Sequence, residues 1–223
     1  MNRYTLNPRV DVLTERVSPT ADINTLRDEP MFHRADLKFA MEHGGPLTRA
    51  ALDKLPPLHG DWVIDSRTHM LMPGHYPAMP GWHCDGVPRT LDWSQGDPKK
   101  ASQFQPNLAE LDPSVMNFAV TVSDKPNGVS LTKYILNSFT VLVEETPSTN
   151  IWSQVSNQVE STLELLDWAA DDGKIVRFSM TSLHSAQPAF TQGWRWFFRA
   201  SPGTPANEIR KQTMVYVTHG QGW

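Results

Sequence analysis

The hydrophobic and polar positions divide the chain into two parts with different periodicity. The first sixty residues carry two amphipathic stretches, which predict helices over Phe32–Glu42 and Leu47–Leu55. Pro46 suits the first turn of the second helix. We therefore predict that residues 1–60 form an irregular, partly helical N-terminal lead-in packed on a core of residues 61–223.

From residue 61 onward, short hydrophobic runs alternate with Pro and Gly, a pattern typical of strands joined by turns. One amphipathic helix is predicted to interrupt them over Val155–Ala170. Many short strands with a single helix predict a mainly β fold, a double-stranded β-helix (jelly-roll or cupin-like) with a few flanking helices. The predicted strands are Trp62–Asp65, Met70–Met72, Gly81–Asp85, Phe118–Ser123, Leu131–Leu136, Phe139–Glu145, Ile175–Met180, Trp194–Ala200 and Met214–Thr218.

Length and composition are ordinary for one globular domain with embellishments: 223 residues, 39% hydrophobic and 20% charged, with a net charge of −4. This charge gives no sign of the basic surface that binds duplex nucleic acid. No apolar run is long enough for a membrane span, and the N-terminus lacks the apolar core of a signal peptide. The single cysteine, Cys84, is typical of a reducing compartment. We expect a soluble, cytoplasmic protein without a membrane partner; the sequence does not indicate its oligomeric state.

Two short motifs carry candidate chemistry. His83 and Asp85 are separated by one residue, so on a strand both would point to one side and Cys84 to the other. One imidazole and one carboxylate make up two thirds of a facial triad, which suits non-haem iron(II). Far along the chain, His184 follows a predicted strand, and Gly193-Trp-Arg195 begins the next.

Together these motifs resemble the iron(II)/2-oxoglutarate-dependent dioxygenase superfamily, whose members share a double-stranded β-helix and a His-X-Asp/Glu…His triad. The resemblance covers about residues 61–218. It implies that His83, Asp85 and His184 bind Fe(II), and that Arg195 binds the far carboxylate of 2-oxoglutarate. The implied activity is an oxygenase, a hydroxylase, that uses O2 and couples oxidative decarboxylation of 2-oxoglutarate to oxidation of an unidentified substrate.

A physical argument supports an anion site beside the triad. A guanidinium group binds a carboxylate through two parallel hydrogen bonds, which favours Arg at a buried carboxylate site. On a strand, Arg195, Phe197 and Arg199 would share one face, with Trp194 and Trp196 on the other. Arg199 is therefore a second candidate ligand for the cosubstrate or the substrate. A solvent-exposed polar face is the alternative interpretation.

Other functions remain open at this point. One is a non-catalytic cupin-like or jelly-roll protein with a structural or metal-binding role, and another is a cupin-type metalloenzyme that uses no 2-oxoglutarate. A zinc site built from His69, His75 and His83 is a weaker hypothesis. A hydrolase built on Ser182 or Ser185 lacks the nucleophile-elbow pattern.

The substrate class cannot be assigned from the sequence: a small molecule, an amino-acid side chain and a nucleobase all fit. Loops at the mouth of a barrel usually carry specificity. We therefore expect Met70–Pro80 and Gly86–Gln105 to face the substrate.

Overall fold

The computed structural model describes residues 1–18, 21–88, 106–146 and 150–210. The strands are β1 Asn2–Leu6, β2 Val10–Arg16, β3 Met31–His33, β4 Trp62–Leu71, β5 Met116–Ser123, β6 Thr132–Ile135, β7 Phe139–Val143, β8 Asp167–Ala169, β9 Lys174–Ser179, β10 His184–Ala186, β11 Gly193–Pro202 and β12 Glu208–Arg210. The α-helices are α1 Ile23–Asp28, α2 Leu37–His43, α3 Pro46–Asp53 and α4 Ile151–Ser161.

Antiparallel pairing organises these strands into sheets. The largest has five strands in the order β2-β9-β5-β11-β4, and a three-stranded sheet has the order β10-β6-β8. Two further pairs are β1-β7 and β12-β3. Strand β11 pairs with β4 along its whole length and with β5 on its other side, so it lies inside the large sheet.

The two faces of the large sheet bury different partners. Helices α1, α2 and α3 cover the outer face, where Ile64, Trp196 and Phe198 join one hydrophobic core. On the inner face, Phe178 of β9 packs against Tyr134 of β6, with ring centroids 5.4 Å apart. The inner face of the large sheet therefore packs towards the three-stranded sheet.

The predicted strands after residue 115 agree closely with the structure, because alternating burial sets their faces. Strands β5, β6, β7, β9 and β11 each begin and end within two residues of the prediction. The two strands predicted over Trp62–Asp65 and Met70–Met72 are instead one continuous strand, β4. The polar residues between them interrupt the hydrophobic pattern, but two of them, Arg67 and His69, line a cavity.

The predicted helix boundaries were wrong in two places. Strand β3 occupies the start of the first predicted helix, and α2 begins only after Asp36, whose side chain accepts a hydrogen bond from the Phe39 N–H. Helix α4 begins earlier than predicted, after Asn150, and ends at Ser161. Strand β8 follows α4 along the chain, within the range predicted as helix, and pairs with β6.

The first sixteen residues were expected to be irregular, and this was wrong. Strand β1 pairs with β7 and β2 pairs with β9, so this segment extends two sheets. Its polar, exposed residues hide the strand pattern because both strands lie at sheet edges. The division of the chain at residue 60 stays a prediction.

The closure of a double-stranded β-helix also stays a prediction. Among the described residues the sheets are not hydrogen-bonded into one barrel. The strand predicted over Met214–Thr218 lies outside the described residues. Within the described part of the chain, no helix is long and apolar enough to cross a membrane.

A buried carboxylate joins the turn before β9 to the end of β5. The Asp172 side chain is 4% exposed and accepts hydrogen bonds from the N–H and the hydroxyl of Ser123, each at 2.9 Å. Burial raises the pKa of Asp172 to about 6, although the Ser123 hydrogen bonds and the charge of Arg195 oppose the shift. Desolvation therefore outweighs its partners.

We predict that Asp172 makes the protein less stable as the pH rises. An unfolded Asp has a pKa of about 3.9, so the folded state binds this proton more tightly. The contribution of this proton is fully present below about pH 4 and is lost as the pH rises through about 6, by roughly 2–3 kcal/mol. Urea unfolding measures the free energy of unfolding of the wild type and of Asp172→Asn. The difference between the two proteins should change by that amount between pH 4 and pH 7. Parallel pH profiles would contradict this prediction.

Candidate metal centre

A cavity of about 390 Å³ opens beside the inner face of the large sheet. Strands β4 and β11 line one side of it, and the loop of residues 72–88 lines the other. The wall is completed by residues from α4, β6 and β10. All three members of the predicted triad, together with Arg195 and Arg199, line this cavity.

The two halves of the donor set are brought together by one isolated β-bridge. The His83 N–H donates to the His184 carbonyl at 3.1 Å, and the His184 N–H donates to the His83 carbonyl at 2.9 Å. His184 begins β10, which pairs with β6. The strand predicted over Gly81–Asp85 is thus reduced to a single bridge, because Gly81 and Gly86 both adopt positive φ angles and turn the chain.

Alternation along this short segment separates the core from the cavity. The side chains of Trp82 and Cys84 are buried in a hydrophobic core with α4 and β7, whereas His83 and Asp85 face the cavity. This is the arrangement expected from the i, i+2 spacing. Burial raises the pKa of the Cys84 thiol, so Cys84 behaves as a small hydrophobic residue.

His83, Asp85 and His184 form a compact donor set. One ligand atom from each lies within 4.8 Å of the others, and among the described residues no other group of His, Cys, Asp or Glu side chains is so arranged. The Nε2 atom of His184 lies 3.3 Å from Oδ2 of Asp85. The two imidazole rings have centroids 4.5 Å apart.

Hydrogen bonds to backbone carbonyls fix which ring nitrogen of each histidine faces the cavity. Nδ1 of His83 lies 3.3 Å from the Gly81 carbonyl, and Nδ1 of His184 lies 3.1 Å from the Ser182 carbonyl. A carbonyl only accepts, so both Nδ1 atoms carry a proton, and Nε2 is the atom of each ring that could bind a metal ion. Burial, reinforced by His184, lowers the pKa of His83 to about 4, which keeps the ring in the neutral, metal-binding form.

Asp85 supplies the anionic donor. Burial alone would raise the pKa of its carboxyl, but the charge of Arg199 overcomes that effect and helps to hold the pKa well below its usual range. Two neutral imidazoles and one carboxylate form a donor set that fits a divalent ion such as Fe(II) and leaves coordination positions open to the cavity. The residues present therefore fit the metal that the sequence implies.

Arg195 lies deeper in the same cavity and is 2% exposed. Its Nε donates to the Ser130 carbonyl at 3.0 Å, and its guanidinium lies 5.6 Å from the centroid of the Phe197 ring. Burial lowers the pKa of Arg195 to about 10, which leaves it cationic at neutral pH. Among the described residues it forms no ion pair with a carboxylate within 4.0 Å.

The Gly-X-Arg motif has a local reason. A Cβ at Gly193 would lie 2.4 Å from Oδ1 of Asp124, and that oxygen accepts a hydrogen bond from the Trp194 N–H. Only glycine lets the chain approach Asp124 so closely where β11 begins. The start of β11, and with it the position of Arg195 two residues on, is therefore fixed.

Arg199 has a different environment from Arg195. One terminal nitrogen lies 2.6 Å from Oδ1 of Asp85, and the other lies 2.9 Å from Oδ2 of Asp65. In the sequence, Arg195 was the first candidate for the cosubstrate and Arg199 the second, because both occupy the same face of one strand. The structure separates them by their partners.

Sequence reasoning missed three residues at the site. Asp65 alternates with Arg67 and His69 on β4, and this polar alternation was a readable signal. Tyr134 lies beside His184, with ring centroids 5.7 Å apart. Trp152 of α4 meets the His83 ring edge-on at 6.3 Å, and no local motif marks it.

Several alternative sites are not assembled. Within the described part of the chain, His69 and His75 do not join His83 in a ligand cluster. The Ser182 hydroxyl donates to the Arg9 carbonyl, a structural contact near the chain's second strand. Trp196 is buried in the core behind the sheet and does not line the cavity.

Part of each expected substrate-facing segment can be placed. Pro77, Ala78 and Met79 line the cavity, as do Gly86 and Val87. Residues 89–105 of the second segment lie outside the described residues.

Comparisons with known proteins add little to this geometry. No protein-family model matches the chain, and no curated protein matches it significantly. A solved structure titled "Non-heme monooxygenase, ThoJ-Ni complex" matches with 14% identity and a TM-score of 0.31, covering 78% of this chain. The match spans 65% of that protein's length. A TM-score this low does not indicate a shared fold, so the functional argument rests on the side chains themselves.

We predict that the purified protein binds one divalent ion and that each triad residue is needed. His83→Ala, Asp85→Ala and His184→Ala should each weaken Co(II) or anaerobic Fe(II) binding by at least about 100-fold, because each removes one donor from a three-residue set. Isothermal titration with Co(II) measures the affinity. His59→Ala, at an exposed histidine, is the matched control and should bind as the wild type does. If His184→Ala bound Co(II) as tightly as the wild type, the proposed metal centre would be wrong.

Proposed function

We propose that the protein is an iron(II)- and 2-oxoglutarate-dependent oxygenase that hydroxylates a substrate entering this cavity. One observation supports the proposal above all others. A two-histidine, one-carboxylate donor set shares a buried cavity with an arginine, Arg195, that has no carboxylate partner among the described residues. A buried cation without a counter-ion is costly, so such a site is suited to an anionic ligand.

The residues divide the work between metal and cosubstrate. His83, Asp85 and His184 would hold Fe(II) on one side, which leaves its other positions facing the cavity. The bound iron would supply the redox chemistry with O2 that no side chain provides. Arg195 would receive the far carboxylate of 2-oxoglutarate and so fix which end of the molecule lies at the metal.

The overall reaction balances without another reductant. One oxygen atom of O2 enters succinate as 2-oxoglutarate loses CO2, and the other enters the substrate as a hydroxyl group. The chain's own contribution is to orient both reactants and to exclude water. The apolar side chains of Met79, Trp152 and Phe197 line the cavity and serve the second purpose.

Replacing Arg195 tests the cosubstrate assignment. Arg195→Met should weaken 2-oxoglutarate binding to the Fe(II)-loaded protein by roughly 100-fold or more, because truncating a buried charged partner costs about 2–5 kcal/mol. Anaerobic titration, followed by the weak visible absorption of an iron–2-oxo acid chelate, measures the affinity. Arg177→Met, which removes a surface arginine paired with Asp11, is the control. An unchanged affinity in Arg195→Met would remove Arg195 from the cosubstrate site.

Turnover separates an enzyme from a metal-binding scaffold. With Fe(II), ascorbate and 2-oxoglutarate, the wild type should form succinate slowly even without its substrate. Asp85→Ala should abolish this turnover, because it removes the only anionic donor of the triad. Metal-dependent O2 consumption without 2-oxoglutarate would favour a cupin-type enzyme. Metal binding with neither activity would favour the non-catalytic alternative.

A further inference from the structure

Both carboxylate oxygens of Asp85 have a partner, and the two partners differ. Oδ1 forms an ion pair with a terminal nitrogen of Arg199 at 2.6 Å, whereas Oδ2 lies 3.3 Å from Nε2 of His184, another member of the donor set. Arg199 thus engages one oxygen of Asp85, and the other oxygen lies beside the ring nitrogen of His184.

Arg199 is itself held from behind. Its second terminal nitrogen donates to Oδ2 of Asp65 at 2.9 Å, and Asp65 is its direct neighbour across the β4–β11 pair. Oδ1 of Asp65 accepts from the Arg34 N–H and contacts Nδ1 of His33, each at 3.2 Å. The guanidinium is therefore anchored to the large sheet before it reaches Asp85.

This anchoring matters because Asp85 lies on a loop. Its nearest regular backbone contact is the single bridge between His83 and His184, and Gly86 turns the chain immediately after it. A side chain on a loop is held less precisely than one on a strand. Arg199, on a strand paired on both sides, supplies the rigidity that the loop lacks.

We infer that Arg199 is a positioning residue, anchored by Asp65, that holds Asp85 with Oδ2 beside His184, where it would complete the proposed metal centre. Arg199 is then not a cosubstrate ligand. The inference rests on the proposed metal centre. Both terminal nitrogens of Arg199 are engaged by carboxylates, whereas Arg195 on the same strand face has no such partner among the described residues. Two arginines four residues apart therefore have separate tasks.

The test compares metal affinity in variants of the full-length protein. Arg199→Met and Asp65→Asn should each weaken Co(II) binding by about 10–100-fold, the range found when a group that orients a metal ligand is lost. Arg199→Lys, which can reach only one of the two carboxylates, should have a Co(II) affinity between that of these two variants and that of the wild type. Arg195→Met is the matched control: it makes the same charge change on the same strand face and should leave Co(II) affinity within about threefold.

A second measurement separates positioning from general loss of structure. At saturating Co(II), the visible spectrum reports ligand geometry, and it should differ from the wild type in Arg199→Met and Arg199→Lys but not in Arg195→Met. Circular dichroism identifies any variant that fails to fold; Arg199→Lys and Asp65→Asn then decide the outcome.

The result also distinguishes this inference from the metal centre itself. If His184→Ala loses Co(II) while folded Arg199 and Asp65 variants keep wild-type affinity and spectrum, the positioning role is wrong and the metal centre stands. If His184→Ala binds Co(II) as the wild type does, the proposed metal centre is wrong, and the inference about Arg199 is wrong with it. Weakened 2-oxoglutarate binding in Arg199→Lys at unchanged Co(II) affinity would instead return Arg199 to the cosubstrate site.

Discussion

The candidate site depends on two backbone hydrogen bonds between His83 and His184. They join a loop after β4 to the first residue of β10. Among the described residues, the strand pairing between these two segments is this one bridge. The bridge is supported from behind, because the Trp82 N–H donates to the Ser156 hydroxyl at 2.7 Å and Cys84 is buried beside α4. Side chains alternate along this segment: Trp82 and Cys84 are buried in the core, and His83 and Asp85 face the cavity.

The second constraint is the balance of charge among the buried groups that line the cavity. Burying an ion is costly unless a partner of opposite charge accompanies it, and removing one member of a buried pair leaves the other uncompensated. Asp85 and Asp65 both meet this requirement through Arg199, whose pKa they raise despite its burial. Arg195 is compensated only at longer range, chiefly by Asp172. That asymmetry is the physical reason for giving the two arginines different roles.

Much of this arrangement could be predicted from local pattern. Hydrophobic alternation located β5, β6, β7, β9 and β11, and the His-X-Asp spacing placed both side chains on one side of the chain. Pairing partners were not accessible in this way, because register depends on contacts between distant residues. Asp65 shows the limit: the polar residues after it ended the predicted strand, yet Asp65, Arg67 and His69 alternate along β4 and line the cavity. Edge strands β1 and β2 were missed because half-exposed strands carry a weak hydrophobic signal.

The arginines of the cavity come from one side and most of its apolar residues from the other, and this bears on where a substrate would bind. Strands β4 and β11 contribute the arginines and Asp65, whereas the loop and α4 contribute Pro77, Met79, Val87 and Trp152. In the proposed reaction the cosubstrate carboxylate would occupy the polar side, because Arg195 lies there. The group to be oxidised would then meet the apolar side, which is built largely from the loop that also carries His83 and Asp85. Changes in that loop would alter the substrate contacts and the positions of the metal ligands together. Arg199, which is anchored on the sheet, would limit how far Asp85 moves when the loop changes.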